Sequence, residues 1–316
     1  MGIKFLNQFL RDKCNNSIAK INIADLTNKK IAIDISIYLY KYEGTDSLLE
    51  SIYLMLSIFR HHNIIPVFIF DGKPPPEKKE LLKKRQEDKV AAKNEYNKLK
   101  EQIELNEVTD DQKQEIIISM DQLKKQFVYM NNNKIEKVKE LIRAYGATYY
   151  DAPGEADELC ALLVNTNKVW ACLSEDMDLF VYGCKRVLRY ISLNNQTAIL
   201  YYTKGILKEL KMSKIEFREI CVLSGTDYNI NVNVLNLFDI IDLFYKFKKE
   251  LPNQPFYNWL KLNIDLNIDL LKKINSMFNI SDELTNSFKN IQILNGPIQK
   301  NLIKEIMKED GFMFLD

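Results

Sequence analysis

Three short apolar runs along the chain each stop at acidic residues. They are 29–36 (KKIAIDIS, reaching Asp34), 64–72 (IIPVFIFDG, reaching Asp71) and 168–178 (KVWACLSEDMD, reaching Asp176 and Asp178). Continuous apolar runs separated by helix-periodic segments predict parallel strands buried on both faces. The segment 47–62 has the spacing of an amphipathic helix, and a longer helical stretch precedes the third run. The expected class is α/β: a twisted, mostly parallel sheet flanked by helices. In such sheets ligands sit beyond the carboxyl ends of the strands, where all three acidic ends converge. GATYYD (146–151) predicts a further strand, turning through Pro153-Gly154 into a helix that starts near Glu155. RVLRYIS and TAILYY predict two more, joined around Asn194-Asn195, and from about 203 the chain reads as helical.

KPPP (73–76) breaks the chain after the second strand. The charged segment 77–106 and a second stretch from Asp110-Asp111 to about 143 then predict a helical insertion. Lys73 to Lys100 holds ten Lys/Arg against five acids, so a chain of net charge +1 concentrates positive charge there. Taken alone, such a segment is most often a solvated helical face.

Composition narrows the chemistry. The only histidines, His61 and His62, are adjacent, and neighbours on a helix point about 100° apart. Neither a histidine base nor a histidine-rich metal site is expected. Cys14, Cys160, Cys172, Cys184 and Cys221 form no CxxC pair and read as reduced core residues of an intracellular protein. No apolar run reaches the ~18 residues of a membrane span and the N-terminus lacks a signal-peptide pattern, so no membrane partner is expected.

Beyond the helix that follows LSG, Asp227 completes an inventory of seven carboxylates: Asp34, Asp71, Glu155, Asp157, Asp176, Asp178 and Asp227. Acids in a first helical turn also serve the helix dipole, a plain reading for Glu155, Asp157 and Glu158. Seven carboxylates cannot share a cleft as bare anions, because like charges raise one another's pKa. Hard divalent cations resolve the conflict, and magnesium suits an all-oxygen set. Two such ions about 4 Å apart serve phosphodiester displacement and replace the missing histidine base. Asp176 and Asp178, two apart at a strand end, are expected to project to one side, with Glu175 facing away as a bystander.

The pieces MGIKFL, IAIDIS, VFIFDGKPPPEKK, YYDAPGEADELCALLV, LSEDMDLFVYG and LSGTDYN follow in order over residues 1–229. Together they resemble the flap endonuclease / XPG-like family of structure-specific 5′-nucleases. The resemblance implies a PIN-like nuclease core over 1–228 with an arch insertion at about 73–143, and a helical C-terminal region over 229–316. It implies a magnesium-dependent phosphodiesterase using two Mg2+ ions, with Mn2+ able to substitute. The implied activity is flap endonuclease and/or 5′–3′ exonuclease on DNA near single-strand/double-strand junctions, in replication, repair or recombination.

By motif position, Asp34, Asp71, Glu155 and Asp157 fall at the first metal and Asp176, Asp178 and Asp227 at the second. Lys78 and Arg85 fall at catalytic arch positions that reach the scissile phosphate, with Lys89 alongside. Offsets of 7 and 11 residues put all three on one face of a helix. Tyr40 falls where an aromatic ring stacks on a terminal base, although YLYKY offers three tyrosines and an ordinary half-buried role. Gly2 falls where the chain packs against DNA.

Two departures accompany the match. INVNVLNLFDIIDLFYKF (230–247) has no glycine where the family places a glycine-rich, potassium-binding helix-hairpin-helix, so duplex anchoring there is expected to be weaker or built differently. Gln299-Lys300-Asn301-Leu302 begins like a sliding-clamp motif, but Glu305 and Ile306 stand where paired aromatics belong, so no clamp partner is expected and the chain is read as a monomer. The same site acting on RNA or a four-way junction is the alternative. A non-catalytic nucleic-acid scaffold is disfavoured because all seven acids are present.

Overall fold

The computed structural model describes residues 2–104, 110–229, 235–250, 254–264 and 266–314. The apolar runs become the centre of a seven-stranded sheet. Its strands are β1 (Ile18–Asn22), β2 (Lys30–Asp34), β3 (Ile65–Phe70), β4 (Thr148–Asp151), β5 (Ala171–Leu173), β6 (Arg186–Ser192) and β7 (Thr197–Tyr202). Their order is β1-β7-β6-β5-β2-β3-β4. The pairs β2·β3, β2·β5, β3·β4 and β5·β6 are parallel, and β1·β7 and β6·β7 are antiparallel. This is the mostly parallel α/β sheet expected. The edge strand β1 was not expected: it is short and largely exposed, and so lacks the apolar run that marks a buried strand.

The helices are α1 (Leu6–Lys13), α2 (Ile35–Glu43), α3 (Leu48–His61), α4 (Lys79–Glu104), α5 (Asp110–Lys124), α6 (Asn132–Ala144), α7 (Ala156–Asn165) and α8 (Asp178–Val181). They continue as α9 (Thr203–Leu210), α10 (Lys214–Leu223), α11 (Leu237–Glu250), α12 (Phe256–Asn263), α13 (Ile268–Met277), α14 (Asp282–Ser287) and α15 (Lys300–Glu309). Two compact units interleave along the chain. One comprises 1–34, 58–75 and 147–295; the other comprises 35–57, 76–146 and 296–316. These units of packing do not follow the division near residue 228 read from the motifs.

The first unit holds the sheet and its core. All five cysteines are buried and unbonded, as their apolar neighbours predicted. Helices α10 to α13 extend this core through the packed rings of Phe244, Phe247, Phe256 and Trp259. Burying each such side chain contributes roughly 1.5–3 kcal/mol, which explains helices without a sheet to cover them. Residues 230–234, the start of the glycine-free stretch, lie outside the described residues. From Leu237 onward it is the amphipathic helix α11, burying Leu237, Ile240, Ile241, Phe244 and Phe247.

The second unit holds the insertion. The stretch expected to run unbroken from 110 to 143 is two helices, α5 and α6, because Gln126 closes a turn on Leu123 and Asn131 caps α6 by accepting from Lys134 N. Lys78, expected on the same helix as Arg85 and Lys89, lies instead in a short 3-10 turn (Pro76–Lys78) before α4 begins. Within α4, Arg85 and Lys89 share one face, one helical turn apart, and Lys78 stands outside that helix. Helix α15 buries Ile303, Ile306 and Met307 against its own unit, so the side chain at 306 serves packing.

Candidate active site

Strand register brings the ends of β2, β3 and β5, where Asp34, Asp71 and Asp176 stand or follow, to one edge of the sheet. Asp34 ends β2, opposite Ile69 of β3, and Ile33 pairs with Leu173 of β5. The residue after β5 is therefore Ser174, fully buried beside Asp34. Its Oγ donates to Asp34 Oδ2 at 2.7 Å and accepts from Asp176 N at 3.1 Å. One hydroxyl thus orients the carboxylate of one strand end and the backbone that carries the next. Sequence reading passed over Ser174, for lack of any charge.

Asp176 and Asp178 come together differently from the strand alternation expected. Strand β5 stops at Leu173, and the two acids lie on a turn that enters the short helix α8. Asp178 N donates to Asp176 Oδ1 at 2.9 Å, an Asx-type turn that draws the pair together. Arg189 of β6, itself buried, anchors that turn: its Nη2 donates to the Glu175 carbonyl at 2.8 Å and its Nε faces Glu175 Oε2 at 3.6 Å. Glu175 also accepts from Tyr190 N. Both contacts make it a structural ion-pair partner of Arg189.

Gly2 closes this side. A Cβ there would stand 2.7 Å from Asp178 Oδ1 and 2.9 Å from Asp176 Oδ1, and its φ of +74° is one that glycine adopts without strain. The N-terminal backbone thus lies against both carboxylates, a close approach to the acids as well as a candidate contact with nucleic acid.

On the other side, Asp71 follows β3 and accepts from Ala156 N at 2.8 Å, capping α7 from outside the helix. The approach depends on Gly72, where a Cβ would meet the Ala152 carbonyl at 1.9 Å. Glu155 is the N-cap residue of α7, and its Oε2 accepts from Tyr228 Oη at 2.7 Å. Asp157 is buried in the first turn of α7. Burial, then Glu155, pushes the Tyr228 hydroxyl well above its ordinary value, so it remains a donor. Tyr182 is pushed up in the same way by burial and then by Asp157.

Asp227 sits in a turn fixed by Asn229. The Asn229 Oδ1 accepts from Thr226 N at 2.6 Å and Thr226 Oγ1 at 2.8 Å, while its Nδ2 donates to the Val222 carbonyl at 2.8 Å. Sequence reading recorded Asn229 inside LSGTDYN without a role. Glu158 turns away to accept from Ser281 N, and burial raises its pKa.

Among the described residues no group of three or more His, Cys, Asp or Glu stands ready-made to hold an ion. Individual acids are held by their neighbours instead: Ser174 joins Asp34 to the Asp176 backbone, Asp71 accepts from the α7 N-terminus and Glu155 accepts from Tyr228. This donor set fits magnesium, which keeps several waters and takes few carboxylates rather than filling a protein cage. Soft metals are disfavoured: burial pushes the Cys160 and Cys221 thiols well up, in Cys221 with a further push from Asp178.

Lys78, Arg85, Lys89 and Tyr40 belong to the second unit. Lys78 is buried, and Arg85 and Lys89 are half-buried on one side of α4. Of the three tyrosines in YLYKY, Tyr38 and Tyr42 are core residues and Tyr40 alone is exposed, at 46%.

Two family models match the chain, the XPG N-terminal domain over residues 1–92 and the XPG I-region over 146–227. Flap endonuclease 1 of Lodderomyces elongisporus is 32% identical over 292 residues, covering 82% of this chain and 73% of that protein. Flap endonuclease 1 of Mus musculus is 28% identical over 264 residues, covering 78% and 67%. Among solved structures, the catalytic core of Rad2 in complex with DNA substrate superposes with a TM-score of 0.63 at 20% identity, covering 95% of this chain and 94% of that one. The junction-resolving enzyme GEN-1 gives 0.65 at 18%, covering 98% and 73%. With the acidic edge carried by the same two matched regions and Asp227 at their end, the chain belongs to the flap endonuclease / XPG-like family of structure-specific 5′-nucleases.

Proposed function

We propose that the protein is a magnesium-dependent 5′ flap endonuclease and 5′–3′ exonuclease that hydrolyses DNA near single-strand/double-strand junctions. The observation that supports this reading is that Asp34, Asp71 and Glu155 are fixed by hydrogen bonds with Ser174, Ala156 N and Tyr228, with Asp157, Asp176, Asp178 and Asp227 in the adjoining turns and first helical turn. Asp34, Asp71, Glu155 and Asp157 would hold one Mg2+, and Asp176, Asp178 and Asp227 a second, with Mn2+ able to substitute. Bound there, the ions would activate water and stabilise the leaving oxygen of an in-line displacement.

The chain's own groups prepare that step. Ser174 orients Asp34, Asn229 fixes the Asp227 turn, and Gly2 leaves the Asp176–Asp178 pair accessible where a side chain would obstruct it. Lys78 and Arg85 supply positive charge to the scissile phosphate, and Lys89 and Tyr40 guide the single strand. The protein acts as a monomer inside the cell, without a sliding clamp.

A second reading is junction resolution, supported by the likeness to the junction-resolving enzyme GEN-1 and by the glycine-free 230–247 stretch. Labelled flap, nicked, four-way junction and RNA substrates, each with and without Mg2+, separate the readings. Preferred cleavage of the flap, lost in Asp176→Ala, is the expected outcome. Cleavage that survives Asp176→Ala overturns the two-metal assignment.

A further inference from the structure

The connection between α5 and α6 presents an aromatic ring beside Tyr40. Phe127 packs edge-on against Tyr96 of α4, with ring centroids 5.4 Å apart. Val128 lies against the end of α2, where a Cβ on Gly44 would touch its Cγ2 at 3.3 Å. The Val128 carbonyl accepts from Lys89 Nζ at 3.2 Å. Two neighbours pinned inward leave Tyr129 directed outward, 50% exposed.

The Lys89 ammonium stands 4.9 Å from the Tyr40 ring centroid and 5.7 Å from that of Tyr129. Lys93 Nζ stands 5.7 Å from the Tyr129 ring on the same helix. Two half-exposed rings therefore flank one ammonium, and a second ammonium borders the outer ring. Burial, then the nearby Arg85, lowers the Lys89 pKa, as expected of an amine enclosed among rings and another cation.

Exposed rings interleaved with lysines form the arrangement that holds unpaired strands: base faces stack on the rings and phosphates meet the ammonium groups. A tyrosine serving only the fold would have its ring buried and its hydroxyl bonded. We propose that Tyr129 is a second stacking residue for single-stranded DNA, acting with Tyr40 across Lys89, and that Lys93 contacts a phosphate beside it. The inference rests on the nuclease reading for its biological substrate, but the binding it describes needs neither metal nor turnover.

The test is fluorescence anisotropy of a labelled oligo(dT) with the full chain in EDTA, across a salt series. Tyr129→Ala is expected to weaken binding about 10-fold, with Tyr129→Phe restoring it and Tyr40→Ala/Tyr129→Ala losing more than either single change. Lys93→Gln is expected to lower the slope of log affinity against log salt by about 1, whereas Tyr129→Ala leaves that slope in place. A 5-iodouracil-substituted oligonucleotide is expected to crosslink to Tyr129 on irradiation, a readout independent of any change in stability. Wild-type binding by Tyr129→Ala, a Phe variant no better than Ala, or no crosslink to this residue overturns the proposal. Absence of Mg2+-dependent cleavage would sink the nuclease reading alone, and normal cleavage beside an inert Tyr129 would sink this one alone.

Discussion

Strand β2 buries four of its five residues, whereas α4 buries only Ala92 among twenty-six. Both elements carry residues assigned to function, and they hold them in opposite ways. Asp34 cannot move without shifting the register of a central strand, and Ser174, Asp178 and Arg189 around it are equally enclosed. On α4 the cationic groups hang from a helix stabilised by exposed ion pairs such as Lys83–Glu87 and Lys100–Glu104, each worth little. The contrast matches the chemistry: metal ligands need fixed positions, while contacts to a flexible single strand need reach and charge.

The largest expected effect breaks the comparison at its rigid end. Asp178→Ala should cut the single-turnover cleavage rate by about 10³-fold, several kcal/mol of lost metal stabilisation, with the melting temperature held near wild type. A variant that cleaves within tenfold of wild type would remove Asp178 from the ligand set. Next, Lys78→Ala and Arg85→Ala should each slow cleavage about 100-fold while the Mg2+ concentration for half-maximal rate stays put. If that concentration rises instead, the arch residues act on the metal site and the division of labour drawn here fails.

Two changes that add or remove no charge sharpen the rigid end further. Gly2→Ala forces a Cβ against Asp176 and Asp178, and Ser174→Ala removes the hydroxyl shared by Asp34 and Asp176 N. Each should raise the half-maximal Mg2+ concentration by about 10-fold or more, read from a metal titration of the cleavage rate. An unchanged titration would show that these groups do not orient the acids.

The smallest effect lies away from the edge, at Glu219 on α10. Burial, then the nearby Glu216, pushes its carboxyl up to about 7, with Lys272 opposing. A carboxyl whose folded pKa is raised carries no penalty below its unfolded value near 4.5. The penalty grows as pH rises toward 7 and is constant above. Glu219→Gln should therefore raise the melting temperature by a few degrees at pH 8 and by less at pH 5. An equal gain at both pH values would show that its carboxyl titrates normally.

Much of the sheet, and the candidate acids at its strand ends, were legible in the sequence. A parallel strand buried on both faces must be a continuous apolar run, so its end is visible as the first charge. What escaped was held by geometry between distant segments. Strand β1 has too little buried surface to leave a pattern, and Ser174, Arg189 and Asn229 act through hydrogen bonds that no spacing encodes. The break at 125–131 was hidden because the helical period of 110–143 is set by charged residues on exposed faces. Asp176 and Asp178 are brought together by a turn and not by the strand alternation expected of them.

The parallel α/β class, the strand runs with acidic ends and the family were readable in the residues alone, because burial and charge leave periodic, local marks. How those acids are held, which of three tyrosines faces outward, and that Tyr129 stands beside it across Lys89 were settled by packing. Those facts depend on contacts between residues far apart in the chain, which fold-level packing creates and local pattern does not record.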